Sequence, residues 1–173
     1  MRVLLVLYSE LLRTGKENLY EELGKNLRTI NRVIGLDNIY ACVSSHFRDM
    51  FDRFPELCFI NNLRDTPVFG AYKGLRKLRE NDVLLIDGGA RFGKENLLTF
   101  LGKINVTVGM LKERWSGLAF IKMRDLDYVI KSLERNFEGS ILDAFRTLKD
   151  TYSIKADFVQ LEEKEGVPVP GAG

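Results

Sequence analysis

The feature that most constrains the fold is a regular alternation between short apolar runs and longer segments with one apolar stripe. The first run, RVLLVLY at residues 2–8, is apolar at every position after its first, which is typical of a strand covered on both faces. The next segment places Leu19, Leu23, Leu27 and Ile30 on one helical stripe. This alternation favours helices packed on a parallel sheet. We therefore predict an α/β fold, a three-layer α/β/α sandwich with a mostly parallel, Rossmann-like central sheet.

The remaining runs complete this pattern. Thr66-Pro67 has the form of a helix cap followed by a proline in the first turn. Ser140, with Asp143 three residues later, is an acidic form of the capping box. We predict strands at residues 2–8, 38–45, 57–61, 82–89, 104–111, 115–123 and 155–162.

Length and charge are those of one ordinary globular domain. The chain has 173 residues, 45% of them hydrophobic, and a formal net charge of +2. A chain of this length can bury a sizeable core. We predict one domain at residues 1–162 and a flexible, Pro- and Gly-rich tail at residues 163–173. No basic arm or stripe indicates a nucleic-acid partner.

The two cysteines lie in apolar segments. We predict that Cys42 and Cys58 are buried, reduced thiols, without a disulfide or metal site, because no Cys or His lies at ligand spacing. The first apolar run is too short for a signal peptide. No segment approaches the roughly 18 apolar residues of a membrane span. We therefore expect a cytoplasmic protein with no membrane partner.

One thirteen-residue segment occurs twice in similar form. RTGKENLYEELGK at residues 13–25 and RFGKENLLTFLGK at residues 91–103 share nine positions. We interpret both as helix starts, with glycine in the turn and Glu near the positive end of the helix dipole. A Walker phosphate loop needs further glycines before Gly-Lys, and a duplicated domain needs similar flanks. Lys16 in the first copy stays a candidate for phosphate contact, because that copy follows the first strand.

Ligands of such sheets bind outside the carboxyl ends of the strands. The loops after Tyr8, Ile60 and Ile86 are therefore the first candidates for a site. We expect the tips of the first and fourth strands to converge there.

The loop after the first strand resembles the signature loop of the GT-A-type nucleotidyltransferases. This family includes sugar-phosphate nucleotidyltransferases and the molybdenum-cofactor guanylyl- and cytidylyltransferases. In LYSELLRTGKENLYEELGKNL, residues 7–27, the matching positions are Arg13, Gly15, Lys25 and Leu27.

A second family element resembles TPVFGAYKGL at residues 66–75. Pro67, Gly70, Gly74 and Leu75 are in register with the family pattern. The strand that follows ends, in the family, with a metal-binding Asp.

The resemblance implies transfer of a nucleoside monophosphate from a nucleoside triphosphate to a phosphorylated sugar, polyol or cofactor. It implies Mg²⁺, held by Asp87 together with Asp65, because related enzymes bridge the phosphates with this ion. It implies catalytic roles for Arg13 and Lys25, whose charges would neutralise the phosphates. The residues implied to contact the nucleotide are Ser9, Gly15, Lys16, Pro67, Gly70 and Gly74.

The sequence departs from the family at the positions nearest the chemistry. Ser9 and Glu10 stand where the family has two glycines, and Gly89 stands where it has the metal-binding Asp. A later metal-binding Asp has no counterpart. The alternative is therefore a catalytically inactive, degenerate member that serves as a nucleotide-binding or protein-interaction module.

Several of these residues also have purely structural interpretations. Asp87 can end a strand in a turn, and Arg13 and Lys25 can be surface cations. Gly70 and Gly74 can allow close helix–sheet packing. The single histidine, His46, is interpreted as a solvated helix-cap residue. The apolar residues in DFVQL, at residues 157–161, suggest a second copy of the chain as a further partner.

Overall fold

The first strand lies inside a seven-stranded sheet in residues 1–163, the part of the chain that the computed structural model describes. The strand order is β3-β2-β1-β4-β6-β5-β7. Only β6 runs against its neighbours, pairing antiparallel with both β4 and β5. The strands are β1 (Arg2–Leu7), β2 (Ile39–Val43), β3 (Cys58–Asn61), β4 (Val83–Asp87), β5 (Val106–Leu111), β6 (Arg114–Ile121) and β7 (Ala156–Gln160).

Helices cover both faces of the sheet, and the predicted α/β class is confirmed. The α-helices are α1 (Lys16–Val33), α2 (Met50–Arg53), α3 (Pro67–Lys77), α4 (Lys94–Leu98), α5 (Leu126–Glu134), α6 (Ile141–Arg146) and α7 (Leu148–Tyr152). Short 3₁₀ helices occur at Ser9–Thr14, Ser45–Phe47 and Met123–Asp125. No helix among residues 1–163 has both the length and the apolar character needed to cross a bilayer.

The continuous apolar run of β1 is explained by this two-sided cover. Leu5 and Leu7 pack in the core on the α1 side, whereas Leu4 and Val6 pack in the core on the α3 side. Successive side chains of a strand point to opposite faces, so a strand covered on both faces needs apolar residues throughout.

The two long helices pack as the sequence predicts. The α1 stripe is buried at Leu19, Leu23, Leu27 and Ile30. At the start of α3, the Thr66 side chain accepts a hydrogen bond from the backbone N–H of Phe69 at 3.1 Å.

Both GKENL segments begin helices, as predicted. Gly15 precedes α1 with a φ of 94°, a conformation that favours glycine. Gly93 precedes α4, and its backbone N–H donates to Asn96 Oδ1 at 2.9 Å.

The prediction for the cysteines is half wrong. Cys42 is buried in β2, and burial raises its pKa to about 12. Cys58 is exposed, because β3 lies at the edge of the sheet. The predicted tail lies, from residue 164 onwards, outside the described residues.

Candidate functional site

The carboxyl ends of β1 to β4 lie at one edge of the sheet, because these four strands are parallel. Val6 in β1 is opposite Asp87 in β4. Leu7 is opposite Val43 in β2, and Val43 is opposite Asn61 in β3. The tips of the first and fourth strands are neighbours, as predicted, but the cleft described below is lined by residues at and after β2 and β3 and not by the tip of β4.

At the tip of β4, protein donors already bind both carboxylate oxygens of Asp87. The Tyr8 hydroxyl donates to Oδ2 at 2.7 Å, and the Gly89 backbone N–H donates to Oδ1 at 2.8 Å. Burial raises the pKa of Asp87 and nearby Glu10 adds to the rise, while the two hydrogen bonds oppose it. Burial also raises the pKa of Tyr8, so its phenol stays a neutral donor.

The Ser9–Thr14 helix after β1 covers this tip with an apolar side chain. A Cβ atom on Gly89 would lie 2.8 Å from Cδ2 of Leu11, and one on Gly88 would lie 3.1 Å from its Cδ1. Leu11 therefore packs directly against the Gly88-Gly89 turn. Where the resemblance implies a glycine-rich phosphate loop, this chain has a short helix.

These residues do not fit the Mg²⁺ ion that the resemblance implies. Mg²⁺ requires several oxygen ligands in near-octahedral geometry. Among residues 1–163, no three His, Cys, Asp or Glu side chains are grouped so that they could hold a metal ion. Both oxygens of Asp87 have protein donors, and Leu11 fills the space beside Gly89.

A cleft of about 390 Å³ lies at the same edge of the sheet, at the ends of β2 and β3, with β1 between it and the tip of β4. Its polar lining includes Ser44, His46, Arg48, Asn62 and Asp65, and Phe51 adds an apolar wall. A cleft of this volume, with a few convergent polar groups, has the character of a small-molecule site.

Within the cleft, Asp65 connects three loops. The Ser9 backbone N–H donates to Oδ1 at 2.7 Å, and the Ser9 hydroxyl donates to Oδ2. His46 Nε2 lies 3.8 Å from Oδ2. Burial opposes ionisation of Asp65, but the hydrogen bonds from Ser9, together with the smaller effects of Ser44 and His46, lower the pKa. The carboxylate is thus anionic at neutral pH and held in a fixed orientation.

Two buried polar atoms in the cleft have no hydrogen-bond partner among residues 1–163. The Asn62 amide donates to the carbonyl oxygens of Leu7 at 3.2 Å and Thr66 at 3.0 Å, which leaves its Oδ1 unpaired. Ser44 Oγ is also unpaired. It lies near enough to Asp65 to help lower that pKa, although no hydrogen bond of normal geometry joins them.

The predicted site residues of the first loop have mixed positions. Ser9 lies beside the cleft through its hydrogen bonds to Asp65. Lys16 donates from Nζ to the His46 carbonyl oxygen at 3.0 Å, so it lies close to the loop after β2. Arg13 pairs with Glu10, and both side chains are largely exposed.

The other predicted residues contact protein groups or lie farther away. Lys25 pairs with Glu22 on the exposed face of α1, nine residues beyond the helix start. At a rise of about 1.5 Å per residue, this is about 13.5 Å along the axis from the helix start. Pro67 begins α3 directly after the cleft loop. Gly70 and Gly74 allow α3 to approach β1, since a Cβ on Gly74 would lie 2.5 Å from Leu4.

Sequence reasoning assigned no ligand role to Ser44, Arg48 or Asn62 and gave His46 only a cap role. The sequence feature that could have indicated these residues is their position along the chain. The segment SSHFR, residues 44–48, follows the second strand directly, so the carboxyl-end rule applies to it as it does to the other loops.

No protein-family model and no curated protein sequence matches the chain. Solved structures are similar across nearly its whole length. The chain is 15% identical to 4-diphosphocytidyl-2C-methyl-D-erythritol synthase from Anaerococcus prevotii, with a TM-score of 0.67 over 93% of this chain and 88% of that one.

Two further solved structures show the same likeness. A cytidylyltransferase from Leptospira borgpetersenii is 11% identical, with a TM-score of 0.62 over 95% of this chain and 77% of that one. Molybdopterin-guanine dinucleotide biosynthesis protein A from Archaeoglobus fulgidus is 16% identical, with a TM-score of 0.57 over 92% and 83%. The chain therefore has the fold of the GT-A-like nucleotidyltransferases.

Proposed function

We propose that this protein binds a nucleotide or another phosphorylated small molecule at the carboxyl edge of its sheet, without metal-assisted nucleotidyl transfer. The observation that carries the proposal is the contrast between two parts of that edge. The cleft at β2 and β3 has polar groups open to a ligand. The β4 tip is filled by Leu11, and its carboxylate is bound by Tyr8 and Gly89.

The ligand class follows from the fold and from the charges at the edge. The solved structures with this fold carry names that refer to cytidylyl groups and to a guanine dinucleotide. Arg48 and His46 line the cleft, and Lys16 lies beside it, where its ammonium group pairs with Asp49 at 3.3 Å. Guanidinium and ammonium groups are the usual protein partners of phosphate.

Nucleotidyl transfer has requirements that the β4 tip does not meet. In-line displacement at a phosphate needs cations that spread the developing charge and a backbone that approaches the phosphates closely. Here Leu11 occupies the space beside Gly88 and Gly89, and both Asp87 oxygens already accept hydrogen bonds from Tyr8 and Gly89. Arg13 and Lys25, the implied catalytic cations, pair with Glu10 and Glu22 instead.

The second candidate function is transfer of a nucleoside monophosphate to a phosphorylated acceptor. The shared fold and the adjacent tips of β1 and β4 favour it. It requires the Ser9–Thr14 segment to move away from Gly88 and Gly89. Mg²⁺-dependent pyrophosphate release from any of the four nucleoside triphosphates, with a panel of phosphorylated acceptors, would establish this function and overturn the first proposal.

Thermal denaturation with a ligand panel tests the binding proposal. The panel holds nucleoside mono-, di- and triphosphates and sugar phosphates, each with and without Mg²⁺. A ligand at a hundredfold excess over its dissociation constant adds about 2.7 kcal/mol of stability. For a domain of this size, that raises the midpoint by roughly 5–10 °C.

The Asp87→Asn variant is the matched control for this panel. We expect it to keep the ligand-induced shift, and we expect Mg²⁺ to leave the shift unchanged. A flat response to every phosphorylated compound would remove the binding proposal.

A further inference from the structure

The cleft contains several groups that can accept hydrogen bonds from a ligand. Ser9 donates to both oxygens of the Asp65 carboxylate, which its lowered pKa keeps ionised. Unlike Asp87, this side chain is 30% exposed, so its remaining lone pairs can accept hydrogen bonds from a ligand. Asn62 Oδ1 and Ser44 Oγ are buried and have no partner among the described residues. A buried polar atom without a partner destabilises the fold, so such atoms indicate a bound water, ion or ligand. A ligand with several N–H donors on one centre would satisfy this part of the cleft.

Arg48, in contrast, is a cationic hydrogen-bond donor that would bind an anionic group of the ligand. Its side chain is exposed, and no carboxylate pairs with it within residues 1–163. A guanidinium binds a phosphate or carboxylate through two parallel hydrogen bonds. Arg48 and Asp65 carry opposite charges in one cleft, and a ligand of a single charge would be attracted by one and repelled by the other.

We propose that the ligand of this cleft is a zwitterion, a phosphate monoester that also carries a primary ammonium group. The ammonium group donates to Asp65 and Asn62, and the phosphate binds Arg48. Phe51 provides apolar surface for the carbon chain between them. This inference rests on the proposed function, because it names the class of phosphorylated molecule that the site accepts.

Isothermal titration calorimetry with three small probes separates the two halves of the ligand. Phosphoethanolamine carries both groups, ethanolamine carries only the ammonium, and glycerol 3-phosphate carries only the phosphate. We expect phosphoethanolamine to bind at least tenfold more tightly than either of the others. Serine, which has a carboxylate in place of the phosphate, forms a fourth arm. If serine binds as tightly as phosphoethanolamine, the assignment of a phosphate is overturned.

Two variants assign the halves to residues. Arg48→Ala should weaken the binding of phosphoethanolamine at least tenfold and leave the binding of ethanolamine unchanged. Asp65→Asn should bring phosphoethanolamine down to the affinity of glycerol 3-phosphate. Arg53→Ala is the matched control, because Arg53 pairs with Glu17 outside the cleft lining, and it should bind as the wild type does.

The Asp65→Asn variant could disturb the cleft by weakening the hydrogen bonds from Ser9. The single histidine therefore provides a measurement of ligand binding on the wild-type protein. His46 is the only histidine in the chain and lines the cleft, so its imidazole NMR signals report the site directly. Phosphoethanolamine should shift these signals with the dissociation constant that calorimetry gives.

The outcomes distinguish the two proposals. If sugar phosphates or nucleotides stabilise the protein but glycerol 3-phosphate binds as well as phosphoethanolamine, the zwitterion is excluded and the proposed function stands. The zwitterion is also excluded if Arg48→Ala binds phosphoethanolamine as tightly as the wild type, or if the ligand leaves the His46 signals unchanged. The proposed function stands in both cases. If no phosphorylated compound stabilises the protein, the proposed function itself is overturned.

Discussion

Asp65 adopts a backbone conformation with a φ of 55°, in the left-handed region that few residues other than glycine enter. Asp and Asn tolerate this region better than most residues, because their short side chains bond locally. Here the carboxylate bonds across loops, to Ser9. Strained residues of this kind concentrate at binding sites, and Asp65 lines the cleft. The strain is thus consistent with a side chain placed for a ligand.

Two glycines in helices should respond to alanine in opposite directions. At Gly70, an added Cβ would lie 2.5 Å from Cγ1 of Val6 and 2.8 Å from Nδ2 of Asn62. We expect Gly70→Ala to lower the unfolding free energy by about 1–3 kcal/mol, because Val6 is buried and β-branched and cannot move aside. At Gly24 in α1, the nearest atom is the flexible end of Arg28 at 3.6 Å. Gly24→Ala should stabilise by roughly 0.5–1 kcal/mol.

Urea denaturation of both variants checks this pair. If Gly70→Ala also stabilised the protein, the close approach of α3 to β1 would not exist as described.

Asp87 should make stability depend on pH in a way that Asp87→Asn removes. Burial raises its pKa in the folded protein above the value of about 3.9 in an unfolded chain. The folded state then binds the proton more tightly, so the unfolding free energy falls as pH rises from about 4 towards the folded-state pKa. Measured by denaturation across this range, the wild type should lose stability relative to Asp87→Asn. A relative gain with rising pH would contradict the assignment.

At the scale of elements, α3 shows how local chemistry and packing combine. Thr66 caps its first turn, Pro67 starts it with a suitable φ, and Gly70 and Gly74 bring its axis close to β1. The cap also ends the loop that carries Asp65, so the start of α3 and one wall of the cleft are built by the same short segment.

Removing that cap should destabilise the protein measurably. Thr66→Ala loses the hydrogen bond from Phe69 N–H to Oγ1, and we expect a loss of about 1 kcal/mol. Thr14→Ala is the control, because the Thr14 side chain is exposed and its hydroxyl makes no hydrogen bond within residues 1–163. Chemical denaturation should show this loss of unfolding free energy in Thr66→Ala and a change of only a few tenths of a kcal/mol in Thr14→Ala. Equal effects would mean that the cap contributes nothing.

At the scale of the whole molecule, one sheet separates two core clusters. The α1 side and the α3 side share the strands between them, so neither cluster can lose its packing without exposing a face of the same sheet. This arrangement supports the proposal that residues 1–162 form a single domain.

A single cooperative unfolding transition is the expected consequence. Trp115 is the only tryptophan and lies in β6, so its fluorescence follows the α3 side of the sheet, whereas far-UV circular dichroism follows all elements. We expect the two urea curves to coincide, as they do for a two-state domain. Curves with separate midpoints would show two units instead.

The sequence by itself determined the elements and the class of the fold. The pattern of apolar residues within a segment reflects how that segment is buried. Neighbouring residues were therefore enough to predict the strands, α1, the caps of α3 and α6, and both GKENL helix starts. Only the tertiary structure decided that β6 inserts antiparallel between β4 and β5, and that β3 is an edge strand with Cys58 exposed. Strand order leaves little trace in a local pattern, because neighbouring strands come from distant parts of the chain. The cleft has the same origin: Ser9, His46 and Asp65 meet because parallel strands bring three loops to one edge, and Leu11 closes the β4 tip through a contact across 77 residues of sequence to Gly88.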